Sequence, residues 1–69
     1  MIAKTNKAIV LARKHIGADP ANESSARFCL NDALRAVERE DYRAAHMWAL
    51  KSLAYSVGIF HADYKGVQS

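Results

Sequence analysis

The sequence predicts an all-α protein: a compact bundle of three helices, at about residues 3–16, 20–39 and 42–60, with a short C-terminal tail and a single domain over 1–69. Three observations predict it. Apolar residues recur at helical spacing in three stretches, while none alternates apolar and polar residues for long and no Asn-Gly or Asp-Gly hairpin turn occurs. The stretches are parted by Gly17-Ala18-Asp19-Pro20 and by Glu40-Asp41, residues that stop and restart helices. A chain of 69 residues with 51% hydrophobic content is sized for one core.

In the first helix Ile2, Thr5, Ile9, Ala12 and Ile16 line one face, widened by Ala8. Lys4, Lys7, Leu11, Lys14 and His15 fall opposite. Gly17 stands where a left-handed residue closes a helix. Asp19 then suits the cap of the second helix and Pro20 its first position, with a later start capped by Asn22 or Ser24 as the alternative. The second stripe is Ala26, Cys29, Leu30, Ala33, Leu34 and Val37, with Ala36 at its margin and Phe28 outside it beside Asp32 and Arg35. Asp41 caps a third helix beginning at Tyr42. No Gly or Pro enforces this break, so one long helix over 22–57 is the competing reading, disfavoured by the apolar surface it would leave bare.

The third helix is apolar nearly all round, the mark of burial on more than one side. One face holds Tyr42, Ala45, Ala49, Leu50, Leu53, Val57 and Phe60, and a second holds Ala44, Trp48, Tyr55 and Ile59. The tail His61–Ser69 lacks periodicity; Tyr64 is expected to tuck back and the last residues to fray.

The small residues Ala33 and Ala36 precede Glu40-Asp41-Tyr42, which is followed by Ala45 and Ala49. In this pattern the stretch from Ala26 to Ser52 resembles a tetratricopeptide helical hairpin. It departs from that family in lacking the glycine before the Asp-Tyr pair, the tryptophan of the first helix and the closing proline, and in having a single copy. The resemblance implies close approach of two antiparallel helices and protein binding without catalysis.

Charge is unevenly placed. The net +3 divides into +4 over residues 1–17, −3 over 18–41 and +2 over 42–69. A basic first helix and an acidic second helix either attract each other within the bundle or leave the basic one for an external anion. Cys29 is the lone cysteine, so no disulfide forms within the chain, and a reducing, cytoplasmic compartment is expected, with no secretory signal visible.

The expectation for chemistry is negative: no enzyme, no cofactor, no metal and no evident small-molecule substrate. His15, His46 and His61 are dispersed, no glycine-rich phosphate loop exists, and Cys29 lies on the apolar stripe. His46 reads as a satisfied, half-buried residue at the core edge, and a metal site through His46, His61 and Asp63 has no specific spacing behind it. No apolar run is long enough to span a membrane, and the first helix lacks the Trp or Phe of a membrane-surface helix.

Two binding readings stand. The leading one is protein association, with a partner or as a homodimer, through a ridge on the third helix: Ala44, Trp48, Lys51, Tyr55 and Ile59, with Ser52 in its line. The competing reading of that ridge is a second contact inside the bundle. The alternative function is nucleic-acid binding by the basic first helix through Lys4, Lys7, Arg13 and Lys14, against which stand the acids of the second helix and the absence of a glycine-bearing helix-turn-helix. A short chain with no catalytic constellation is also what small bacterial or phage accessory proteins tend to be.

Overall fold

The computed structural model describes residues 2–57, and it contains three α-helices, α1 (Ile2–His15), α2 (Glu23–Glu38) and α3 (Tyr42–Val57). No strand occurs among the described residues. The expected extension of the third helix to Phe60, the tail and Tyr64 lie outside them.

Both breaks follow from local chemistry. Gly17 takes φ 86°, and the Ala18 N–H donates to the His15 carbonyl at 2.9 Å, closing α1. A Cβ on Gly17 would lie 3.3 Å from Glu23 Oε1, so that position is both left-handed and tight. Asp19 then caps a single 3-10 turn, Pro20–Asn22, accepting from the Ala21 N–H at 3.2 Å and from Asn22 Nδ2 at 2.8 Å. The turn feeds α2 at Glu23, so Asp19 caps the turn while α2 proper takes the later of the two expected starts.

The second break is as sharp without glycine. The Glu40 N–H donates to the Val37 carbonyl and the Asp41 N–H to the Ala36 carbonyl, each at 2.9 Å. This pair of bonds is a Schellman closure, and it places Glu40 in the left-handed region at φ 59°. Asp41 next accepts from the Ala44 N–H at 3.2 Å and caps α3. A continuous helix over 22–57 is thereby excluded.

Packing is centred on α3. It lies against α2 and against α1, while α1 and α2 scarcely touch. The Ser52 hydroxyl, late in α3, donates to the Ala26 carbonyl, early in α2, so these two helices run antiparallel. The Thr5 hydroxyl of α1 donates to the Tyr42 carbonyl at the start of α3, so α1 runs parallel to α3. The core joins Ala8, Ile9 and Ala12 of α1, Leu30 and Ala33 of α2, and Ala49, Leu50 and Leu53 of α3.

The α2–α3 seam is built from small side chains: Ala26, Ala33 and Ala36 on one helix, Ala45, Ala49, Ser52 and Ser56 on the other bury almost completely. Small contact residues let two helix axes approach closely. The Ser52–Ala26 bond is buried and 2.8 Å long, a net contribution on the order of 1 kcal/mol.

Several expected positions move. Ala36 is fully buried rather than marginal, whereas Leu34 and Val37 are half-buried, because α2 rests mainly on α3 and its smallest residues sit nearest that axis. Ile2 is 53% exposed at the first residue of α1, and Leu11, expected on the outer side, is half-buried against the core. Ser52 leaves the ridge for the seam. Nor do α1 and α2 attract through ion pairs: among the described residues the two ion pairs, Arg27–Glu23 and Arg35–Asp32, both lie within α2.

Candidate functional site

With α1 and α2 in place, one side of α3 remains partly open. Trp48 is half-buried there, its inner side against the core. Phe28 of α2 meets it edge to face, with ring centroids 6.4 Å apart and planes at 77°. That geometry sets the positive edge of one ring on the negative face of the other. Lys51, three residues along α3 from Trp48, holds its Nζ 4.8 Å from the indole centroid, within cation–π range. Tyr55 follows one turn later.

These side chains wall a shallow groove of about 390 Å³ between α2 and α3, completed by Ser24, Ser25 and Cys29. Phe28 stays 62% exposed and Tyr55 42% exposed, although each is large enough to anchor a core. Cys29, 5% exposed, forms part of the groove's inner wall. Burial pushes its thiol above the ordinary value of 9.0; Lys51 pulls it down, and Asp32 adds to the rise. Low exposure and a raised pKa make it a poor nucleophile.

Of the ridge expected on α3, the fold brings Trp48, Lys51 and Tyr55 together on the groove. Ala44 is half-buried one turn before Trp48 and does not line it, and Ile59 lies outside the described residues. Reasoning from helix faces missed the α2 side: Phe28, Ser24, Ser25 and Cys29. The available signal was Phe28, an aromatic residue off its own helix's apolar stripe.

The chain matches no protein-family model, no curated protein and no solved structure.

The other candidate surface is α1. Lys4, Lys7, Arg13 and Lys14 are all exposed, and among the described residues none is in an ion pair. Val10 is exposed among them. His46 is half-buried as expected, but it is not satisfied: its Nδ1 is buried and finds no hydrogen-bond partner among the described residues. The Ser56 hydroxyl is in the same position. No group of three His, Cys, Asp or Glu side chains gathers among the described residues, and His61 and Asp63 lie outside them. No described helix is long and apolar enough to cross a membrane.

Proposed function

We propose that this chain is a small, non-enzymatic interaction module that binds protein, another chain or a second copy of itself, through the aromatic face formed by Phe28, Trp48, Lys51 and Tyr55. The observation that carries this reading is that Phe28 and Tyr55 remain exposed on either side of a half-buried Trp48, although α3 packs against both α1 and α2. Fully burying one such side chain is worth roughly 1.5–3 kcal/mol. A tryptophan and a tyrosine gathered around a concavity are the residue types on which binding energy concentrates.

The test pairs sedimentation over a range of concentrations with selection from a random peptide library displayed on phage, run on the parent chain and on Phe28→Ala/Tyr55→Ala. Both residues lie on the exposed surface, so the double variant should keep its helical circular dichroism. It should lose self-association, peptide capture, or whichever of the two the parent displays. Equal association and equal capture by parent and variant would remove the reading.

A second reading has its own observation. The four cations of α1 lack intramolecular partners among the described residues, which leaves them available to a nucleic-acid backbone. Such binding would weaken steeply with salt and vanish in Lys4→Glu/Lys7→Glu; an unchanged duplex mobility at low salt rejects it.

A further inference from the structure

We infer that the occupant of the α2–α3 groove is a segment of another protein that presents a carboxylate beside an aromatic or long aliphatic side chain, the carboxylate being taken by Lys51. The inference rests on the protein-binding reading above and adds the chemistry of the partner.

The argument starts from charge. Among the described residues Lys51 is the one charged side chain lining the groove. The two α2 acids nearest in sequence to the groove residues are already engaged, Glu23 by Arg27 at 2.9 Å and Asp32 by Arg35 at 3.3 Å. Among the described residues no carboxylate pairs with Lys51. Its ammonium rests on the Trp48 face instead, at the mouth of an apolar site. A cation held there, without a counterion, selects an anion that arrives together with apolar surface.

The rim agrees with this. Ser24 and Ser25 lie in the first turn of α2, are exposed, and make no side-chain hydrogen bond among the described residues. Among the described residues the groove thus offers an ammonium and two serine hydroxyls around three aromatic walls, and no carboxylate. Its volume of about 390 Å³ takes one or two side chains rather than a helix face. A second copy fits less well. Around a twofold axis at the groove Lys51 would oppose Lys51, between chains that each carry net +3.

The test uses the full chain, immobilised against the phage-displayed library, with selected peptides then synthesised and titrated by the emission of Trp48, the single tryptophan. Selected peptides should carry Asp or Glu within a few residues of an aromatic or leucine. Lys51→Glu, at an exposed position, should weaken them roughly five- to tenfold, and replacing the peptide's acid by Lys should restore affinity for that variant. Peptides that need Phe28 but are indifferent to Lys51→Glu overturn the inference and leave the protein-binding reading standing. Peptides indifferent to both Phe28 and Lys51 overturn both. A dimer abolished by Phe28→Ala makes a second copy the occupant, and peptide binding that emerges only after removal of residues 58–69 makes the chain's own C-terminal segment the occupant; either outcome overturns the inference.

Discussion

Glu40 takes a conformation, φ 59°, that an L-residue with a Cβ enters at a cost of roughly 1–2 kcal/mol. It stays there because two backbone bonds, to Val37 and Ala36, close α2 around it. Glycine relieves the clash and gives back part of the gain in unfolded-state entropy. Glu40→Gly should therefore stabilise the fold by about 1 kcal/mol, seen as a melting temperature higher by roughly 4–8 °C. A lower melting temperature would show that the Glu40 side chain contributes more than its backbone costs. Cys29 makes the second residue-scale prediction. Its folded pKa is raised, so the folded chain holds the thiol proton more tightly than the unfolded chain. Stability from this source is complete below the ordinary thiol value and is lost as pH rises through the folded one. Urea denaturation between about pH 8 and 10 should show a steeper loss for the parent than for Cys29→Ala. Parallel losses would mean that the thiol titrates alike in both states.

At the scale of elements, the α2–α3 seam is held by fit. Ala33 and Ala36 face a helix that offers Ala45, Ala49 and Ser52, and there is no slack for a larger side chain. Ala33→Leu should cost about 1–3 kcal/mol by overpacking, whereas Phe28→Ala, on the exposed side of the same helix, should cost less, about 0.5–1 kcal/mol from the lost edge contact with Trp48. Chemical denaturation of the two variants separates these cases, and similar losses would contradict the packing described. The helices themselves were legible. Periodicity located all three, and the turn chemistry of Gly17, Asp19, Pro20 and Asp41 located their breaks. The center of each stripe was less so. Apolar spacing marks a face a quarter-turn or more wide, and it cannot say that Ala36 rather than Leu34 lies closest to the neighbouring axis. Phe28 illustrates the same limit for the groove: its exposure followed from its helix position, but its pairing with Trp48 depends on how two helices lie together.

For the whole molecule, the decisive fact is that α1 and α2 each rest on α3 and scarcely on each other. Opposite charge on the first two helices left their mutual attraction as one of two readings, and charge alone does not specify contact when packing surfaces compete with it. The arrangement makes α1 the least supported helix, docked mainly through Thr5, Ala8, Ile9 and Ala12. Its amides should exchange with deuterium sooner than those of α2 and α3, in a local opening that leaves the antiparallel pair in place. Uniform protection across all three helices would instead mark one cooperative unit.

The central helix also follows the other two in the chain. During synthesis α1 and α2 emerge from the ribosome before the surface that both must cover exists, and the Thr5–Tyr42 bond spans 37 positions of sequence. Until Tyr42 and the residues after it are released, each helix lacks the main surface it packs against. Native structure therefore arrives late, in a step that follows translation of α3 rather than accompanying that of α1.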